Sequence, residues 1–521
     1  MNKNTTYSPI IFSLILAAGI LLGDVFFNGD RVSQNPNKFD LLLNQIEEIY
    51  VDSIDKDELT ELAVQYLLEK LDPHSSYIPA KDLATVNEPM EGSFDGIGIE
   101  FNLQKDTILV VAPISGGPSQ MVGIQSGDKI ITVDGDTIAG TGLTNDSVFK
   151  LLRGKKGTKV KLGILRNNQI IDFELSRDKI PIYSVDVSYM VNSKTGYIKI
   201  NRFSATTYQE FREASKKLLQ AGMKELILDL RNNPGGYLGA SINVSNEFLT
   251  NDKMIVFTKG REGIDNEYYS NDEGMLIDTK VVVMINEGSA SASEIVAGAI
   301  QDNDRGTIIG RRSFGKGLVQ EQFQNKDGSA YRITTQRYYT PTGRCIQRPY
   351  NIGEKEDYND EILDRYENGE LLSEDSIPVI DSLQYITPLG KVVYGGGGIA
   401  PDVFVAIDTT DFHNDINAVN RMGLIRDFTF QYTDKKREEL KSMGLKKFIT
   451  DFEIDQKTLL QLKAFCKKQD QKLSVNEFNS YDLEIINTQL KAQMGRGIWN
   501  DDAFFPVIHK IDNTFQRALK E

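Results

Sequence analysis

The sequence predicts an α/β multidomain protein: a body of strands covered by helices, a small β-rich module ahead of it, and a mostly helical region behind it. Three observations predict this. From Tyr197 to Gly310 strand-like and helix-like stretches alternate, as in layered α/β folds. From Gly92 to Arg177 short period-two runs are cut by Gly, Asp and Asn turns, with a single short helical stretch. From Asp415 onward the pattern is helical and charged, with no chemical motif.

Composition agrees with that class and excludes others. A chain of 521 residues suits three or four domains, and 40% hydrophobic with 26% charged residues is ordinary for globular protein. The net charge of −15, without a compensating basic block, argues against nucleic acid as a partner. Two cysteines, Cys345 and Cys466, form neither a disulfide framework nor a metal site.

In order along the chain, residues 1–29 read as a signal peptide or signal anchor. Lys3 precedes an apolar run, Ile10 to Gly23, broken only by Ser13. That run has the length of a signal core; extended to Phe27, past Asp24, it is long enough to span. No A-x-A cleavage site follows, so export with an uncleaved membrane anchor is favoured. Residues 30–90 read as helical, with stripes at Leu41, Leu42, Ile46 and Ile49 and at Leu59, Leu62, Tyr66 and Leu67. The turn Leu71-Asp72-Pro73-His74-Ser75 ends the helical stretch from Phe39 to Leu71 within this region. Residues 91–180 form the β-rich module, opened by Gly96-Ile97-Gly98-Ile99 and carrying a helix at Asn145 to Leu152 and a hairpin at Asn167-Asn168. Residues 181–405 form the α/β body. Within it, Asn351 to Asp381 is acidic and reads as a mobile, solvated insertion. Residues 406–521 read as a helical docking or dimerisation domain.

The chemistry concentrates between Val281 and Gln320. Val281 to Ile285 is a β-branched run, Glu287-Gly288 breaks it, and Ser293 to Gln301 is a helix with an apolar side. A strand, a tight turn of small residues and a helix push a nucleophile out of a sheet edge. The helix N-terminus adds free N–H groups suited to an oxyanion. Ser289, Ser291 and Ser293 all offer hydroxyls, and each needs a base. The chain has three histidines, His74, His413 and His509, none in this stretch. Lys316, between Gly315 and Gly317, is the alternative, provided burial lowers its pKa from about 10.4 toward roughly 7–8. Simpler readings compete. Ser291-Ala292-Ser293-Glu294 is also a capping box. Gly310 to Lys316 fits the start of a phosphate loop, but Gly317 stands where Ser or Thr belongs, and a strand pattern follows where a helix is required.

The run SASASEIVAGAIQD followed by FGKGLVQ resembles the carboxyl-terminal processing, or tail-specific, serine proteases. The Leu-Asp-Pro-His-Ser turn, Asn233-Pro234-Gly235-Gly236 and the glycine run at Gly395 extend the resemblance over about residues 39–405. It implies a crotonase/ClpP-like α/β protease core with an inserted PDZ-like domain. It implies Ser291 as nucleophile, Lys316 as general base twenty-five residues later, and Gln320 as the residue orienting the lysine. The backbone amides of Gly235 or Gly236 and of Ala292 would form the oxyanion hole. Gly96, Ile97, Gly98 and Ile99 would hold a peptide carboxylate, with Arg153 sensing ligand in the PDZ-like module. The implied partners are proteins or peptides with exposed C-termini, with room for an adaptor protein and a homodimer. No metal or cofactor is implied. A binding-only scaffold that no longer turns over is the alternative reading.

Overall fold

The computed structural model describes residues 38–114, 116–261, 266–353, 355–378, 380–407, 414–470 and 480–521. The signal or anchor segment expected at residues 1–29 lies outside them. Among the described residues no helix is long and apolar enough to cross a membrane. The chain divides after Leu68 into two compact units, each taken here by itself. The first holds α1 (Lys38–Ile49) and nearly all of α2 (Lys56–Glu69).

In the second unit a short strand, Ser76–Ile78, precedes α3 (Ala80–Glu91), which is closed by Gly92 in the left-handed region at φ 74°. The β-rich module follows: β1 (Ile99–Leu103), β2 (Ile108–Pro113), β3 (Lys129–Val133), α4 (Asn145–Leu152), β4 (Lys159–Arg166) and β5 (Gln169–Ser176). Its sheet runs in the order β1-β2-β3-β4-β5, so β1 is an edge strand. Thr144 caps α4 by accepting from the Ser147 amide at 3.2 Å. Ile108, Val110, Ile130, Val148, Val160 and Ile164 fill a core of the module's own.

The body is a six-stranded sheet: β6 (Val185–Met190), β7 (Thr195–Ile200), β8 (Glu225–Asp229), β9 (Lys280–Ile285), β10 (Thr307–Gly310) and β13 (Val403–Phe404), in that order. From β7 to β13 all pairings are parallel. The sheet is buried on both faces, which is why β9 reads as an unbroken apolar run. On one face Val281, Val283 and Ile285 pack with α5 (Thr207–Gln220), α6 (Leu238–Asn246) and α7 (Ala292–Asp302). Val282 and Met284 alternate to the other face. A second sheet holds β11 (Leu318–Gln324) and β12 (Ala330–Tyr339).

The insertion is not wholly the solvated segment that its acidity suggested. It contains α8 (Lys355–Glu367), whose Arg365 is only 2% exposed. Arg365 donates to the carbonyls of Ser313 and Phe314 at 2.8 and 3.1 Å. Arg312 makes two 2.6 Å hydrogen bonds to Glu370. Arg348 pairs with Glu361 and lies 4.1 Å over the Phe314 ring. The acidic residues are there to hold arginines, and net charge alone hides such pairing.

Beyond the body come α9 (Asn414–Arg421), α10 (Leu424–Met443), α11 (Leu445–Asp451), α12 (Gln456–Gln469) and α13 (Ser480–Trp499), around a core that includes Phe448, Leu490 and Met494. Then α14 (Asp501–Ile508) and α15 (Asn513–Ala518) return to the body, where Phe505, Phe515 and Ala518 cover Tyr197 and Met284. Trp499 packs 5.0 Å from Phe448.

Candidate active site

The turn between β9 and α7 separates the three serines. Ser289 is fully buried and its hydroxyl donates to the Leu230 carbonyl at 2.8 Å. Ser293 is equally buried and donates to the Asn233 carbonyl at 3.0 Å. Both are structural ties between this turn and the loop after β8. Ser291 is the partly exposed one, and it lines a cavity of about 520 Å³. Its backbone is forced: φ is 54° and ψ −111°, a conformation that a residue with a Cβ rarely adopts. Such strain at a strand-to-helix turn is the geometry of a nucleophile elbow.

Lys316 lines the same cavity. Its carbon chain is largely buried, and burial lowers its pKa below 10.5, outweighing the raising influence of Glu294. Its ammonium makes no salt bridge among the described residues.

Two side chains join Ser291 to Lys316 through their backbones. Glu294 is fully buried. One of its oxygens accepts from the amides of Ser291 at 2.7 Å and Lys316 at 2.9 Å. The other accepts from the Gly315 amide at 2.7 Å and the Ser313 hydroxyl at 2.5 Å. Burial pushes its carboxyl upward, against the pull of these four donors. From the opposite side, the Tyr338 hydroxyl lies 3.1 Å from the Ser291 carbonyl and also bonds the Lys316 carbonyl. Glu294 thus does more than cap: it pins a loop some twenty residues downstream to the helix start. Neither that reach nor Tyr338 could be found in the sequence, where Glu294 completes a capping box and Tyr338 is one strand residue among ten.

The loop after β8 brings glycines against the nucleophile. A Cβ on Gly235 would stand 2.7 Å from the Ala290 carbonyl oxygen and 2.9 Å from the Ala292 nitrogen, and φ there is 97°. A Cβ on Gly236 would collide with the Phe203 carbonyl oxygen. The two amides differ. Gly235 N–H donates to Asn233 Oδ1 at 2.9 Å, so it is not available to an oxyanion. The amides of Gly236 and Ala292 make no hydrogen bond among the described residues, and both residues line the cavity. Gln320 also lines it, but its amide donates to Thr334 at 3.3 Å and makes no bond to Lys316. The phosphate-loop pattern fails on structure, because Lys316 leads into β11 and not into a helix.

In the β-rich module, Gly98 takes φ 75°, and Ile97 and Gly98 turn their carbonyls inward to Ser119 and Ile114, both at 3.0 Å. The amides of Ile97 and Gly98 make no hydrogen bond among the described residues. Gly96 pairs with Asp178 and Ile99 starts the edge strand β1. On α4, Phe149 meets Phe101 of β1 edge-on, with centroids 5.7 Å apart. Arg153 follows α4. It lies 4.7 Å over both Phe94 and Phe149 and pairs with Glu88 of α3. Burial raises the Glu88 carboxyl, with Arg153 opposing. The neighbouring Asn87, Met90 and Glu91 of α3 line the 520 Å³ cavity, so Arg153 and the cavity share one helix.

Comparison with known proteins finds matches along most of the chain. Residues 194–359 match the model of peptidase family S41, residues 96–176 match the PDZ domain, and residues 416–500 match DUF8443, a family of unknown function. The chain is 34% identical over 350 residues to the "Probable CtpA-like serine protease" of Staphylococcus aureus strain COL, covering 65% of this chain and 69% of that protein. It is 39% identical over 317 residues to the carboxy-terminal-processing protease of Bartonella bacilliformis, covering 60% of this chain and 72% of that one. Among solved structures it is similar to a photosystem II D1 C-terminal processing protease, with 25% identity, 74% and 97% of the two chains covered, and a TM-score of 0.38.

Proposed function

The chain belongs to the carboxy-terminal-processing serine proteases of peptidase family S41, and on that premise we propose that it cleaves proteins with a Ser291–Lys316 dyad. One observation carries the reading: a strained, accessible serine and a largely buried lysine, without a counter-ion among the described residues, line one cavity, their backbones joined by Glu294 and Tyr338. Neutral Lys316 takes the Ser291 proton as Oγ attacks the peptide carbonyl. The Gly236 and Ala292 amides receive the developing oxyanion. Lys316 then returns the proton to the leaving amine, and water hydrolyses the acyl-enzyme. Glu294 and Tyr338 are positioning residues, and the support for Gln320 extends only to its place in the cavity.

Substrate capture follows the PDZ match. A C-terminal carboxylate would rest on the amides of the Gly96–Ile99 loop, and the peptide would add to edge strand β1. Arg153 would relay occupancy through Glu88 and α3 to the cavity. The substrates would be proteins of the cell envelope with exposed tails, reached through export directed by residues 1–29.

The test is cleavage of an unfolded protein ending in apolar residues, with products followed by mass spectrometry. The full chain cuts, whereas Ser291→Ala and Lys316→Ala each lose at least about 10³-fold in rate. The rate climbs with pH as Lys316 loses its proton, with a midpoint below the 10.5 of an ordinary lysine. Undiminished cutting by Lys316→Ala would move the base elsewhere and end the dyad reading.

A further inference from the structure

A second cavity, of about 440 Å³, shares Lys316 and Pro234 with the first but contains neither Ser291 nor the Gly236 and Ala292 amides. This asymmetry has chemical meaning once the dyad reading, on which this inference rests, is granted. The acyl half of a peptide must sit where its carbonyl meets both nucleophile and oxyanion donors, which is the first cavity. The leaving half needs only the base, because when the C–N bond breaks its nitrogen takes the proton that Lys316 carries. A cavity with the base and without the oxyanion amides is on the leaving side. We propose that this second cavity receives the residue that follows the scissile bond, and that it selects an apolar side chain there.

The preference for apolar groups follows from how the lining is already paired. Glu287 accepts from Arg311 at 2.9 and 3.1 Å. Asn232 exchanges two 2.8 Å hydrogen bonds with Asn286. His74 Nε2 lies 3.1 Å from the Tyr358 hydroxyl. Most of what remains for a guest is the surface of Pro234, Ala290, Phe314 and Ile362, beside the Lys316 amine. A polar side chain would surrender its water for few partners, and pairing with the Lys316 amine would occupy the base.

Ile362 is the lining residue that the inserted segment contributes. It is on α8, in the inserted segment, three residues before the Arg365 that holds the Ser313 and Phe314 carbonyls. The insertion is therefore a wall of the leaving-side subsite, fastened to the same loop that carries Lys316.

The experiment profiles cleavage sites in a mixed peptide library by mass spectrometry, using the full chain, Ile362→Trp and Ile362→Ala. The parent should favour apolar residues directly after the cut bond. Ile362→Trp should disfavour large residues there by about 10-fold, and Ile362→Ala should shift the preference toward larger ones. The preference before the bond should stay as in the parent for both. Because the two variants move in opposite directions, poor folding of one cannot imitate the result. Products whose leaving-side profile is the same in all three chains would overturn the assignment alone, as would a shift confined to the acyl side. No product even from the parent would overturn the peptidase reading and this subsite with it.

Discussion

The two faces of the body's sheet are built on different terms. The face toward α7 is mostly hydrocarbon: Val281, Val283 and Ile285 meet Ile295, Val296, Ala299 and Ile300, helix residues that follow the end of the strand by about ten to fifteen positions. The opposite face is covered by α14 and α15, more than two hundred residues later, and is laced with polar groups. There the Tyr197 hydroxyl donates to Asp229 at 2.7 Å. Arg231 bridges Asp229 and Asp512 at 2.7 and 2.8 Å. Tyr189 lies 2.6 Å from His509 Nδ1, and His509 stacks on Phe515 at 3.8 Å. A covering that arrives from far along the chain has to find its register, and directional pairs supply that where hydrocarbon cannot. Arg231 also opens the loop that ends in Gly236, so the C-terminal segment braces one wall of the active site.

The comparison can be broken by removing one acid from each face. Asp302, at the end of α7, is fully buried against Arg344, itself fully buried, at 2.7 Å. Asp302→Ala strands that guanidinium and should cost about 3–5 kcal/mol. Asp512 is 19% exposed, and Arg231 keeps Asp229 when it is lost. Asp512→Ala should therefore cost clearly less. Urea unfolding of both variants checks the order; equal losses would mean that Asp229 does not keep Arg231 paired once Asp512 is gone.

A pH series sharpens it. Burial pushes His509 down from 6.5 to about 4, against the raising influence of Asp512 and Asp229. The folded state thus holds the ring neutral while the unfolded chain protonates it. Stability from this group is complete above pH 6.5 and is lost as pH falls toward 4, by up to about 3 kcal/mol. Asp186, pushed up to about 6 by burial, acts in the opposite sense across the same interval. The informative quantity is therefore the difference between His509→Phe and the parent. The variant should gain relative stability as the pH drops from 7 to 4, and a constant difference would show that the imidazole is not held neutral.

The local chemistry was legible because it is local. The strand at Val281 to Ile285, the turn and the helix after it fall within a residue or two of β9 and α7, and α4 spans the residues its pattern indicates. Ser291 and Lys316 are legible as a pair through motif resemblance. The choice among three serines was not legible from composition, since it depends on carbonyls of the loop after β8 that hold Ser289 and Ser293. Nor was the choice between Gly235 and Gly236, which turns on where the Asn233 side chain points. The insertion misled because a carboxylate paired with a buried arginine and one facing water look alike in a sequence. Glu361 and Glu370 both belong to the first kind.

Ser291 carries one more consequence. Its φ of 54° with ψ of −111° is a conformation that glycine adopts freely and serine does not. Ser291→Gly should abolish cleavage and yet unfold at a higher temperature, by the equivalent of about 1 kcal/mol after the added flexibility of the unfolded chain is subtracted. A melting curve at or below that of the parent would show that the strain is absorbed elsewhere. If the curve moves upward, inactivity and durability go together in this protein, and a lineage released from the need to cut peptides would drift toward a sturdier molecule.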